Sequence, residues 1–342
     1  MSLPPFALDL ARRNLGLDAQ ASLAVGKIER GGSDREFYRV RGGGAEPFII
    51  IIYGRGRREN AHYAEVAAFL RAHQVAVPKV LFHDSDAAVI AMQDLGGRDL
   101  WSFRASPWDV RRVLYQSALR EVHRFHSIMP AEVAAAQLTL EPAFDETLYC
   151  WEQEYFFDHC LGGIFAAQID SAQISAVASL PVWDAISREL AKQPRVLVHR
   201  DFQSQNVLIV NEDAFLIDFQ GMRPGLPHYD LASLLYDPYV NLTTAERVEL
   251  FAFYQGIGRR RVLGGGELSF QRLFRLCAVQ RLMQALGAFG NLGLKQGKTS
   301  FLRHVPAALM NLQEAVAMQP ELAEFGAVLA RLEPESMHVD EH

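Results

Sequence analysis

Over its first 93 residues the chain is patterned mostly for strands. Residues 21–30 and 36–41 read as two strands, and the turn cluster Gly31-Gly32-Ser33-Asp34-Arg35 between them predicts a hairpin. Residues 47–53 form an apolar, β-branched run that predicts a third strand. Residues 58–73 then change period, with Ala61, Tyr63, Val66, Ala67 and Leu70 on or near one helical stripe. Short apolar runs at 79–82 and 87–93 flank the turn His83-Asp84-Ser85-Asp86 and predict two more strands. With a surface helix at the N-terminus, this region is five short strands and one internal helix.

The pattern changes at Asp94-Leu95-Gly96-Gly97, which predicts a boundary between residues 1–94 and 95–342. Beyond it, residues 107–129, 145–161, 171–192, 229–236, 243–256, 268–287 and 300–318 carry helical patterns, several opening on proline, serine, threonine or aspartate. One island differs. Residues 195–198, 207–210 and 214–217 are apolar runs too brief for helices, separated by polar loops.

Those loops carry the chemistry. His199-Arg200-Asp201-Phe202-Gln203-Ser204-Gln205-Asn206 matches the H-R-D-L-x-x-x-N catalytic loop of kinases, with Phe202 at the leucine position. Four fixed positions would arise by chance in a chain this long about once in 500. Asp218 follows Asn206 at the end of an apolar strand and precedes Phe219, the setting of a metal-binding Asp-Phe-Gly element. Phosphoryl transfer passes through a loose, charge-spread transition state, so the protein mainly positions the reactants and neutralises charge through metal ions. In that scheme Asp201 accepts or orients the acceptor's hydroxyl proton, Asn206 offers an amide oxygen to Mg²⁺, and Asp218 holds the Mg²⁺ that bridges the phosphates. His199 is expected to tie the loop together by hydrogen bonds.

On these residues the chain resembles the aminoglycoside phosphotransferase and choline kinase-like superfamily, as does the tetrad Tyr229-Asp230-Leu231-Ala232. The resemblance implies an α+β, bilobal protein-kinase-like fold: a small N-lobe with a five-stranded antiparallel sheet and one helix, and a large, mainly α C-lobe. It implies ATP and Mg²⁺ as cofactors, a small hydroxylated substrate, and Asp230 as a brace for the catalytic loop. An aspartate at a helix start also satisfies exposed N–H groups. Within the superfamily the chain resembles bacterial kinases that phosphorylate the anomeric position of N-acetylmuramate and N-acetylglucosamine. That likeness rests on chain length, residues 32–40, Met92-Gln93-Asp94-Leu95-Gly96, Ile217-Asp218-Phe219-Gln220 and residues 229–235.

On the nucleotide side, Gly31, Gly32, Ser33, Asp34 and Arg35 are candidates to drape over phosphates, because glycines permit close backbone approach. Gln93, Asp94 and Leu95 fall where an interdomain hinge offers backbone hydrogen bonds to adenine. The resemblance places Glu65 at the helix glutamate that pairs with a strand lysine. The lysine itself is missing: Tyr53 stands there, and Arg55, Arg57 and Arg58 are the nearby cations that would have to replace it. Most of Trp101, Trp108, Trp151, Trp183, Tyr155, Phe156 and Phe157 are expected in the core, with a sugar pocket as the sharper reading.

Composition narrows the classes. The chain has 342 residues, 49% of them hydrophobic, and a net charge of −6, which argues against a polyanion-binding protein and for an ordinary globular one. The longest apolar run is six residues, too short for a membrane span, and the N-terminus lacks a secretory pattern. Three widely spaced cysteines without a CxxC fit a reducing compartment, so a cytoplasmic enzyme is expected, with no nucleic-acid, membrane or obligate protein partner evident. Residues 131–180 carry eight acids and no lysine or arginine. This block is either a solvated face or a wall for a cationic substrate. The alternatives are therefore an aminoglycoside-type phosphotransferase, suggested by the acids, and an inactive nucleotide-binding module, suggested by Tyr53.

Overall fold

The computed structural model describes residues 3–28, 35–258 and 267–334. They form two compact units: one comprises residues 1–141 and 205–222, the other 142–204 and 223–342. The chain thus crosses between units inside the segment 199–222. The units divide the chain differently from the boundary after Asp94, because residues 95–141 and 205–222 both fall in the first unit.

The first unit is built on a five-stranded antiparallel sheet of β1 (Leu23–Ile28), β2 (Glu36–Gly42), β3 (Ala45–Ile52), β4 (Val80–Asp84) and β5 (Val89–Gln93), in the order β1-β2-β3-β5-β4. The hairpin expected across residues 21–41 is present, with Ile28 opposite Phe37. β3 is central, and its run of isoleucines is buried on both faces. Phe48 and Ile50 share a cluster with Tyr38, Val40 and Ala91 and with Ala7 and Ala11 of α1 (Pro5–Leu15), whereas Ile49 and Ile51 point the other way. α2 (Tyr63–Ala72) lies between β3 and β4 in the chain and buries Val66, Ala67 and Leu70. α3 (Trp108–His126) and the short α4 (Pro130–Ala135) follow.

The second unit is mainly helical. It holds α5 (Glu146–Phe156), α6 (Ser171–Ala178), α7 (Val182–Ala191), α8 (Pro227–Leu235), α9 (Thr244–Gly258), α10 (Glu267–Gly290), α11 (Val305–Ala317) and α12 (Ala323–Leu329). Its one strand pair, β6 (Val196–Val198) and β9 (Arg223–Gly225), sets Leu197 opposite Pro224. The apolar runs 207–210 and 214–217 become β7 (Val207–Val210) and β8 (Asp213–Leu216), a hairpin of the first unit.

The helical pattern over 171–192 is two helices. Pro181 lacks a backbone N–H and pushes the residue before it out of helical geometry, so the chain breaks between α6 and α7. The pattern over 145–161 is α-helical only to Phe156 and then π-helical from Phe157 to Ile164. β9 had no sequence signal, since proline and glycine make two of its three residues.

Candidate active site

In the second unit the loop that begins at His199 leaves β6 and is held from both ends by buried carboxylates. Asp230 accepts the backbone N–H of His199 at 2.7 Å and of Arg200 at 2.8 Å. It lies in the first turn of α8, where Pro227 fills an early position that needs no donor, and both of its carboxylate oxygens accept from the loop. Asp237, just past α8 and only 2% exposed, accepts the N–H of Ser204 at 2.8 Å and of Tyr239 at 2.9 Å. Burial raises its pKa, and the hydrogen bonds from Ser204 and Tyr239 oppose the shift.

Between these anchors Arg200 adopts a left-handed φ of 77°. A non-glycine residue there stores strain of the kind found at functional sites. Asp201 follows with its side chain 37% exposed, 3.4 Å from the Arg200 guanidinium and 3.9 Å from that of Arg281. His199 is buried, its ring centroid 6.1 Å from that of Phe202.

Beneath the loop, Glu152 of α5 is fully buried, accepting from the Tyr229 hydroxyl at 2.7 Å and from Gln280 at 3.4 Å. Burial pushes its carboxyl up to about 7 against the pull of the Tyr229 hydrogen bond and of the Arg200 and Arg281 charges.

The first unit contributes the β7–β8 hairpin. Val207 pairs with Leu216, and beyond that pair the N–H of Ile217 donates to the Asn206 carbonyl at 3.0 Å. The register therefore brings Asn206 to the open end of the hairpin beside Asp218. The hairpin is fixed from outside: Leu216 N–H to the Ala76 carbonyl at 2.8 Å, Ile209 N–H to the Arg98 carbonyl at 2.8 Å, and Ala214 N–H to the Ser117 hydroxyl at 3.0 Å. Asp218 also sits in the left-handed region, with φ 65°. That conformation turns the chain so that Phe219 is buried against Tyr63 of α2, ring centroids 4.8 Å apart.

One carboxylate and one amide oxygen at the end of a hairpin are a hard donor set. Mg²⁺ is commonly held by one or two such groups together with phosphate oxygens and water, so the residues fit it. Asp218 Oδ1 accepts from Gln220 at 2.9 Å and also pairs with the Arg35 guanidinium.

The nucleotide-side candidates divide. Gly31, Gly32, Ser33 and Asp34 lie outside the described residues. Glu65 is exposed (65% for its side chain) and pairs with His62, three residues before it. Tyr53, at the lysine position, hydrogen-bonds its hydroxyl to His83 at 2.8 Å. Arg55 donates to the Asp86 carbonyl. Asp94 forms a two-point ion pair with Arg39 of β2 at 2.7 and 3.0 Å and accepts the Gly96 N–H at 2.9 Å. Leu95 packs with Leu208 and Ile217, and Gln93 donates its backbone N–H to Lys79.

The acidic stretch 131–180 does not form one wall. Asp145 and Asp170 cap helices, Glu132 accepts the Met129 N–H, Glu146 pairs with Arg188, and Glu152 is buried. Of the aromatics only Trp183, Phe156 and Phe157 are core, fewer than the expected majority, while Trp101, Trp108 and Tyr155 are half-buried. Trp151 is 46% exposed and stacks on Tyr155, centroids 4.9 Å apart.

Sequence reading missed Asp237, Arg281, Arg39 and the burial of Glu152. Only Asp237 left a local trace, an aspartate-proline step directly after the helical pattern 229–236.

Residues 25–264 match the phosphotransferase enzyme family. The chain belongs to this family. As a phosphotransferase it has curated relatives along nearly its full length. One is the N-acetylmuramate/N-acetylglucosamine kinase of Pseudomonas aeruginosa, 27% identical over 88% of this chain and 86% of that protein. Another is the kinase of the same name from Pseudomonas putida, 26% identical over 95% and 93%.

Solved structures share the bilobal kinase-like α+β fold. The GDP complex of an aminoglycoside 2'-phosphotransferase-IIIa mutant superposes with a TM-score of 0.62 at 15% identity, covering 94% of this phosphotransferase and 98% of that chain. The Plasmodium vivax ethanolamine kinase gives 0.57 at 16%, covering 90% and 84%. The inactive-module alternative does not fit this membership, which makes the protein an enzyme.

Proposed function

We propose that this phosphotransferase is an Mg²⁺- and ATP-dependent kinase of a cell-wall amino sugar, acting on the anomeric hydroxyl of N-acetylmuramate or N-acetylglucosamine. The observation that carries the kinase reading is the loop from His199 to Asn206, anchored at both ends by Asp230 and Asp237 and running straight into a hairpin whose register sets Asn206 beside Asp218. The sugar is supported by the relatives of that name, which align over most of both chains.

In this reading Asp201 orients the acceptor hydroxyl and takes its proton as the oxygen attacks the γ-phosphorus; ADP leaves with the bridging oxygen. Asn206 and Asp218 hold the metal. A divalent ion held there would supply positive charge against the charge that develops on the phosphates. Arg200 and Arg281 stand beside Asp201, and His199 stiffens the loop. Gly31 to Arg35 cover the phosphates, the backbone of Gln93, Asp94 and Leu95 receives adenine, and residues 1–94 and 95–342 act as the two lobes. No described helix is long and apolar enough to cross a membrane, and the described cysteines are free thiols, which supports a cytoplasmic setting.

The test is nucleotide-coupled turnover on N-acetylmuramate, N-acetylglucosamine, their 1-O-methyl glycosides, simple hexoses and aminoglycosides. Turnover of the free amino sugars, with none on the methyl glycosides, is expected. Turnover on a methyl glycoside would refute the anomeric assignment. Asp201→Ala should abolish transfer while leaving nucleotide binding largely intact. An aminoglycoside-type acceptor, suggested by the acidic stretch, predicts activity that falls steeply with salt. The dispersal of those acids into caps and pairs weighs against it.

A further inference from the structure

The β3 strand carries no cation for the phosphates, and neither Tyr53 nor Arg55 supplies one: the first is held by His83, the second by the Asp86 carbonyl. A guanidinium does reach the metal-binding carboxylate, from elsewhere. Arg35 stands immediately before β2, 183 residues from Asp218, and its Nη2 pairs with Asp218 Oδ1. The Arg35 side chain is only 11% exposed, and its guanidinium lies 5.6 Å from the Phe37 ring centroid. The aromatic contact and the burial hold the long side chain in one place, which an exposed surface arginine lacks.

We propose that Arg35 is the phosphate-binding cation of this enzyme in place of the missing strand lysine, and that its ion pair with Asp218 is exchanged for the triphosphate when Mg²⁺ takes the carboxylate. The physical reason lies in the shared acceptor. Asp218 Oδ1 serves a guanidinium and the neutral amide of Gln220. A divalent ion on the same oxygen repels the guanidinium and leaves the amide unaffected. The displaced guanidinium then faces the strongest anion available, and its planar fork matches phosphate oxygens two at a time, which an ammonium cannot do. Metal and nucleotide binding are thereby coupled through one residue: Asp218 stores the cation until the metal releases it. The inference rests on the kinase reading and adds to it which residue grips the phosphates and what that residue does beforehand.

The test measures ATP affinity calorimetrically on the full chain at fixed ionic strength, in excess Mg²⁺ and again in EDTA. The proteins are wild type, Arg35→Ala, Arg35→Lys, Asp218→Asn and the Arg35→Ala/Asp218→Asn double variant. In Mg²⁺, Arg35→Ala should weaken ATP by about tenfold or more, and Arg35→Lys should recover only part of the loss. In EDTA, Asp218→Asn should tighten ATP by about tenfold when Arg35 is present and by much less when it is alanine, because the gain comes from the released guanidinium.

Equal tightening in both backgrounds would mean simple removal of a negative charge and would overturn the exchange. Unchanged Mg²⁺-ATP affinity in Arg35→Ala would overturn the phosphate role while leaving the kinase reading standing. A wild type that binds no ATP with Mg²⁺ would instead overturn that reading, and this inference with it. Thermal unfolding checks each variant, and Arg35→Gln replaces the alanine if the latter does not melt cooperatively.

Discussion

The carboxylate of Asp237 accepts the backbone N–H of Ser204 across 33 residues of chain, at 2.8 Å, in a place water does not reach. A side chain thus does for the loop what secondary structure does elsewhere: it gives a buried donor its partner. Removing it leaves the N–H groups of Ser204 and Tyr239 unsatisfied, so Asp237→Ala should cost about 2–5 kcal/mol and reduce turnover on the acceptor. Asp237→Asn keeps one acceptor oxygen and should fall between. Thermal unfolding and kcat on the same preparations check this, and an alanine variant with wild-type melting would contradict it.

Gly225 of β9 faces β6, and a Cβ placed there would lie 2.7 Å from Val198 and 2.9 Å from Phe144. Both neighbours are buried, so neither can move freely. Gly225→Ala should destabilise by about 1–3 kcal/mol through overpacking. Because Val198 directly precedes His199, it should also lower kcat more than the nucleotide affinity. Equal losses in both would place the strain elsewhere.

Glu152 makes stability depend on pH in a particular direction. Its folded pKa, raised by burial to about 7, lies above that of the unfolded chain, near 4.5. Between those values the folded state binds more protons, so this group's share of stability falls as pH rises from about 4.5 to about 7 and is constant beyond. The full swing is on the order of 3 kcal/mol as an upper bound. Urea midpoints of wild type and Glu152→Gln, measured from pH 5 to 8, should show a difference that changes across this window. Parallel curves would show that Glu152 does not titrate there.

Arg39 and Asp94 join β2 to the chain just past β5 by a two-point ion pair that spans the sheet, with the carboxylate nearly buried. Such a pair loses most when one half is removed. Arg39→Ala should cost about 2–4 kcal/mol, because it leaves the nearly buried Asp94 carboxylate without its cation, and Asp94→Ala less, because the more exposed Arg39 can turn to water. The double variant should be milder than the sum of the two. Additive losses, read from denaturant midpoints, would mean the two residues do not act together.

Strand and helix positions were legible wherever period and turn chemistry agreed. The isoleucines of β3, the stripe of α2 and the glycine-bearing hairpin connection each declare themselves through near neighbours, and the spacing from His199 to Asn206 to Asp218 needs no partner to be recognised. The pairing of Arg35 with Asp218, of Arg39 with Asp94 and of Ser204 with Asp237 left almost no trace in the order of residues. Each joins positions dozens of residues apart or more, through a geometry set by sheet register and packing. Glu65 shows the same limit from the other side: its place in the chain suggests a strand partner, while the ion pair it makes is with His62, three residues back. Sequence by itself determined which chemistry this protein carries, because that depends on residue type and local spacing. Which cation stands against which carboxylate was decided by tertiary structure, since an ion pair exists only where folding closes the distance.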